Sequence, residues 1–144
     1  MTLKNFLALT ALSLAFGTVS AQTEEAALPR KVSNVEVLDL EGKPVTLPYW
    51  GEKNLMIFYV DPDHHKQNED FTVELEKNQR TATNGATVLA DQTHALSTAW
   101  NLGDCNNKFV LMFVTKEGEL VFLRKGVLSD ADKEAFYEVL ENYK

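Results

Sequence analysis

Residues 58–70, FYVDPDHHKQNED, set two carboxylates (Asp61, Asp63), two adjacent imidazoles (His64, His65) and the ammonium of Lys66 directly behind an apolar run. Imidazole and carboxylate together are ligands for zinc or copper, and His94 offers a further imidazole downstream. Adjacent positions on a helix, however, point about 100° apart. His64 and His65 therefore do not converge on one ion without unwinding the turn, and neither an H-x-x-x-H nor a Cys/His ligand spacing is present. Two readings stand side by side: a metal site drawn from Asp63, His64, His65 and His94, with Asp61 in reserve, or a solvated first helical turn that presents a polar surface.

Cys105 is the single cysteine. One cysteine makes no internal disulfide, and thiol–disulfide exchange by a cysteine pair is excluded. What is left is single-thiol chemistry, with an imidazole such as His64 as activator, or a half-buried inert thiol. The adjacent Asp104 would push the thiol pKa up rather than down. Tyr49, Trp50, Tyr59 and Trp100 either finish a core or anchor a partner.

The elements that must position these residues follow from periodicity. VSNVEVLDLEGKPVTL reads as a hairpin over 34–39 and 44–47, with Glu41-Gly42-Lys43-Pro44 as its turn. NLMIFYV (54–60) reads as a strand covered on both faces. Asp61 is placed to cap a helix opened by Pro62 and running to about Arg80, with Phe71 and Leu75 on its buried face. Asn84-Gly85 predicts a turn, ATVLA (86–90) a second buried strand, and Asp91 the cap of a helix at about 92–100. KFVLMFV (108–114) and ELVFLRK (119–125) predict a second hairpin. Ser129 and Asp132 form a capping box ahead of a helix whose apolar positions are Phe136, Val139, Leu140 and Tyr143. A β-α-β unit is parallel with a right-handed crossover, so the expected sheet is mixed, with helices on both faces.

The formal charge is −7. No basic cluster interrupts that acidity, so nucleic acid and anionic lipid are poor partners. MTLKNFLALTALSLAFGTVSAQ has the parts of a cleavable export signal: basic Lys4, an apolar stretch from Phe6 to Phe16, and small residues ending at Ala21. That stretch is too short for a permanent membrane span. Residues 22–31, QTEEAALPRK, read as a linker.

Several strings carry a family likeness. VEVLDLEGKPVTL followed by NLMIFYV resembles the opening of the thioredoxin-like peroxiredoxin and TlpA group, and FVLMFVTKEGELVFLRKGVLS resembles the strand-turn-strand that closes that fold. AWNLGDCNNKFVLMFVTKEGELVFLRKGVLSDADKEAFYEVL is similar to the C-terminal half of the YtfJ family of small periplasmic thioredoxin-like proteins. The likeness spans about residues 33–143. It is strongest in the last third and weakest at 61–85. It implies a fold and a compartment and supplies no catalytic residues. In redox-active thioredoxins the cysteine pair would fall near Asp63 and Lys66, and the substrate-docking cis-proline near Asn107-Lys108-Phe109; this chain has neither.

The sequence thus leads to a defined expectation. Residues 1–21 are a signal peptide, 22–31 a linker, and 32–144 an α/β, thioredoxin-like domain with a mixed central sheet, an N-terminal β-hairpin and helices on both faces. The domain is periplasmic, with no membrane span in the mature chain, no nucleic-acid partner and no cofactor. It is a redox-inactive accessory or binding module whose surface is built from Asp61, Asp63, His64, His65, Lys66, Cys105 and Trp50. A helix N-terminus favours an anion, but Asp61 and Asp63 already fill that role, which points to a periplasmic protein or peptide as partner. Zinc or copper binding and single-thiol redox chemistry at Cys105 are the alternatives.

Overall fold

A strand that is apolar at every position, as FVLMFV is, needs cover on both faces. The computed structural model describes residues 27–78 and 87–144, and it supplies that cover. Strand β5 (Phe109–Val114) is buried at all six positions. It pairs antiparallel with β4 (Leu55–Val60) on one side and β6 (Glu119–Lys125) on the other. Strand β1 (Arg30–Lys31) adds to the far edge of β6, giving the order β1-β6-β5-β4. A separate hairpin joins β2 (Glu36–Leu38) to β3 (Pro44–Thr46). Its turn is organised by Asp39, whose Oδ1 accepts from the backbone N–H groups of Glu41 and Lys43, both at 2.8 Å.

The two faces of β5 feed two cores. Val110, Met112 and Val114 face a cluster with Val35, Val37, Leu96, Trp100 and Leu102. Phe109, Leu111 and Phe113 face a cluster with Phe71, Leu75, Phe122, Leu128 and Phe136. The β2–β3 hairpin and helix α2 (Ala95–Ala99) cover the first face; helices α1 (Glu69–Asn78) and α3 (Asp130–Asn142) cover the second. Helices therefore lie on both faces, as expected. Phe136 is fully buried, with its ring edge-on to Phe122 (5.0 Å between centroids), Phe71 (6.2 Å) and Phe113 (6.3 Å). A bulge in β6 places Val121 out of register, so Leu120 and Leu123, three residues apart, share one face.

The sequence expectation needs correction in five places. The sheet is not mixed: every strand pairing among the described residues is antiparallel. The predicted parallel strand at 86–90 is absent over 87–89, and Val88 is 61% exposed. Ala90 instead makes one antiparallel bridge with Leu38, with N–H···O distances of 2.9 and 2.8 Å. A five-residue run with one strongly exposed valine leaves its partner undetermined, and the free edge of β2 supplied one. Arg80, Asn84-Gly85 and Ala86 lie outside the described residues.

The helix expected from Pro62 onwards is interrupted. Pro62–His64 form a 3-10 turn, residues 65–68 are turns, and α1 starts at Glu69. The break frees two amide side chains for tertiary bonds. Gln67 Oε1 accepts from Phe109 N at 3.0 Å, while Asn68, 7% exposed, accepts from Leu128 N and donates to Gly126 O, both at 3.0 Å.

The last two corrections concern short segments. Arg30 and Lys31, expected in a linker, are a strand. Arg30 Nη2 donates to Trp100 O (2.7 Å) and Lys31 Nζ to Glu117 O (2.6 Å). Helix α2 is a shorter Ala95–Ala99 with His94, not Asp91, at its N-cap position; Asp91, four residues before the helix, still accepts from Ala95 N (2.8 Å) and Leu96 N (2.9 Å).

Candidate functional site

The register of the sheet decides where the polar stretch after β4 sits. Val60, the last residue of β4, faces Phe109, the first of β5. Whatever follows Val60 must therefore meet whatever precedes Phe109. Asp61 makes that junction. Its N–H donates to Lys108 O at 3.2 Å, its Oδ1 accepts from Asp63 N at 3.0 Å, and its Oδ2 accepts from Asn107 N at 2.9 Å. Asn107 has φ +58°, a left-handed conformation that asparagine tolerates better than most residues and that aims its N–H at the carboxylate. The hydrogen bonds from Asn107 and Asp63 hold the Asp61 carboxyl below its ordinary pKa.

His64 and His65 have different surroundings. The backbone N–H of His64 donates to Asp61 O at 2.8 Å. Its Nδ1 is buried without a hydrogen-bond partner among the described residues, 3.8 Å from Asp61 Oδ1. His65 is exposed, with Nδ1 2.9 Å from Pro62 O; that contact is a hydrogen bond when the proton is on Nδ1. Asp63 and Lys66 are exposed, and Asp63, His64, His65, Lys66 and Gln67 line a shallow, open depression. Across the junction, Asp104 accepts from Asn106 N (2.9 Å) and lies 3.5 Å from Lys108 Nζ. These two contacts, the hydrogen bond first, hold its carboxyl below the ordinary range.

The remaining predicted residues are placed elsewhere. Cys105 is half-buried against the Val110/Trp100 cluster, within electrostatic reach of Tyr59. Trp50 packs on Trp100, with ring centroids 5.8 Å apart, and a Cβ on Gly118 would lie 3.7 Å from its ring. Gly118 closes the β5–β6 turn beyond Val114, which pairs with Leu55, so Trp50 lies toward the opposite end of the sheet from Asp61. Trp50 is thus a partly buried aromatic packed against the core, away from the 61–66 turn. His94 is exposed, with φ +58°, and its side chain makes no cap. Among the described residues, no three of His, Cys, Asp and Glu gather in a way that could hold a metal ion.

One polar network escaped the sequence reading. Tyr59 Oη donates to Asp91 Oδ2 at 2.9 Å and lies 3.4 Å from Ser97 Oγ. Burial, aided by the Asp91 carboxylate, pushes the Tyr59 phenol up to about 12, against the opposing hydrogen bond from Ser97. Asp91 thereby serves two backbone N–H groups and a phenol at once. The available signal was Tyr59 on the same strand face as Leu55 and Ile57, a polar group aimed into an apolar cluster.

Chemically, the junction is a scaffold. The Asp61 carboxylate is occupied by two backbone donors, and Gln67 and Asn68 spend their amides on the loops before β5 and after β6. What faces solvent is a mixed-charge set of side chains: Asp63, His65, Lys66 and Asp104. Comparison with known proteins adds no assignment: no family model matches the chain, and neither a curated protein nor a solved structure matches it.

Proposed function

We propose that this chain is a redox-inactive, thioredoxin-like accessory module of the YtfJ type, exported to the periplasm, that binds a protein or peptide partner through the 61–66 turn and the adjoining 103–108 loop. The observation that carries this reading is the Asp61 bridge, which ties the turn and the loop into one surface and occupies both oxygens of its own carboxylate with backbone donors. The thioredoxin-like element of the proposal is supported by the succession β4, α1, the β5–β6 hairpin and α3, with α1 and α3 on one face of the sheet. Among the described residues no parallel strand lies beside β4, which is its departure from that pattern. With Trp50 partly buried toward the other end of the sheet, the surface reduces to Asp61, Asp63, His64, His65 and Lys66, with Cys105 flanking it from the loop. A single thiol cannot cycle through an internal disulfide, which favours binding over oxidoreductase chemistry.

The test is site-specific photocrosslinking in cells. A crosslinker at His65 should capture a discrete protein adduct, and one at the exposed Glu134 on α3 should not. Equal capture from both positions, or none from His65, would remove the assigned surface. Insulin reduction that survives Cys105→Ser would overturn the redox-inactive part separately.

A further inference from the structure

Among the described residues, one buried side-chain polar atom has no hydrogen-bond partner: Nδ1 of His64, 3.8 Å from Asp61 Oδ1. Such an atom costs free energy that a single hydrogen bond would recover. The rest of the side chain is accessible, at 35% exposure, so the ring exchanges protons with water. Asp61 has capacity for the missing bond. Among the described residues its Oδ1 accepts from Asp63 N alone, and a carboxylate oxygen has two lone pairs. Backbone donors at Asn107 and Asp63, and after them the His64 ring, hold the Asp61 carboxyl below its ordinary pKa. Asp61 is therefore an anion throughout the range in which histidines change charge.

No neighbouring charge takes its place. On the same turn, Asp63 and Lys66 are exposed and His65 lies against Pro62 O. On the adjoining loop, Asp104 pairs with Lys108 at 3.5 Å, Lys125 at the end of β6 acts on Asp104, and Cys105 acts on Tyr59. Glu69 and Asp70 open α1 and are exposed. Among the described residues, Asp61 is the one carboxylate paired with His64.

We propose that His64 and Asp61 form a proton-operated latch on the 61–66 turn. A neutral imidazole carries one proton on either nitrogen; the imidazolium carries both, so its Nδ1 is always a donor. The proton comes from solvent and stays on the ring, and Asp61 stays ionised. Closure is a movement of about 1 Å, to the roughly 2.8 Å of a charge-assisted bond. The backbone anchor, His64 N to Asp61 O, is already made at 2.8 Å. Because Asp61 Oδ2 holds Asn107 N, the closed latch stiffens the turn and the 103–108 loop together. The bond is present while the ring is protonated and is lost as pH rises through its titration. Its consequence, stronger partner capture in acid, rests on the surface proposed above; the latch itself does not.

Nuclear magnetic resonance of the protein from about pH 5 to pH 8 tests the latch. The backbone amides of Asp63 and Asn107 should shift with the same midpoint as the His64 ring. His64→Gln should remove that transition, and His65→Gln should leave it in place. If His64→Gln fails to fold, the wild-type rings decide: in acid, the Nδ1 proton of His64 should exchange with water more slowly than the ring protons of His65. Amides indifferent to the His64 titration overturn the proposal, and so does an Nδ1 proton that exchanges as fast as those of His65. Photocrosslinking from position 65 tests the consequence. Capture should rise several-fold between about pH 7.5 and about pH 5.5, and the rise should vanish with His64→Gln. Capture that ignores pH overturns the gating. No adduct at either pH, beside an intact latch, counts against the proposed surface and leaves the latch standing.

Discussion

Asp61 shows how a residue can be read correctly in type and only partly in role. As the residue before a proline at the start of a helical turn, it was legible as a cap, and it caps Asp63 N. Its second oxygen bonds Asn107 N, 46 residues away, a contact that no local pattern encodes. Both bonds need the carboxylate, and they lower its pKa. The sign follows directly. The stabilisation is fully present above the ordinary aspartate pKa of 3.8 and is lost as pH falls through the lower folded value. Asp104 and Asp132 are depressed in the same sense, by hydrogen bonds from Asn106 and Ser129 respectively. Asp61→Asn is therefore expected to lower the melting temperature at pH 7 and to have a progressively smaller effect as the pH falls and the wild-type carboxyl takes up its proton. Thermal denaturation of both proteins from pH 7 to pH 2 checks this; curves that stay parallel throughout would deny Asp61 its role as an ionised bridge. The same lesson explains the histidines. Their types suggested metal chemistry, but backbone direction decides what two neighbours can share, and His64 turns toward Asp61 while His65 folds back on Pro62 O.

At the scale of elements, the best-read parts are those whose signal is local and redundant. The capping box before α3 is present in both directions, with Ser129 Oγ accepting from Asp132 N and Asp132 Oδ2 accepting from Ser129 N, each at 3.0 Å. Arg124 Nε adds a bond to the other Asp132 oxygen at 2.8 Å. Ser129→Ala should cost about 1 kcal/mol, the usual loss for an N-cap hydroxyl, measured by urea denaturation with an unchanged slope. The hairpins and β5 were equally plain, because a continuous apolar run bounded by turn residues has few alternatives; β4 was legible as a strand, but it ends the sheet order with Phe58 41% exposed and is not covered on both faces as expected. The interrupted helix after Pro62 was not legible. Gln67 and Asn68 are ordinary helix residues until tertiary partners at Phe109, Gly126 and Leu128 claim their amides. The segment at 86–90 failed for a related reason: strand partners belong to the assembled sheet, and Ala90 found Leu38.

For the whole molecule, β5 is the shared wall of two cores, and the second of them centres on Phe136. That ring has no exposure and meets three other phenylalanines across two strands and α1. Phe136→Ala should cost about 3–5 kcal/mol, the range for emptying a buried aromatic site, read as a lower urea midpoint. A cost within the scatter of surface substitutions would mean that α3 is not fastened through this ring. The other end of the chain is held differently. Strand β1 closes on β6, pairing Arg30 with Leu120 and Lys31 with Glu119, so the first described strand depends on nearly the last. β1 therefore has no strand to dock on until β6 is in place: two residues close the sheet across a loop of nearly ninety, so the edge they form is the last pairing available and the first to open.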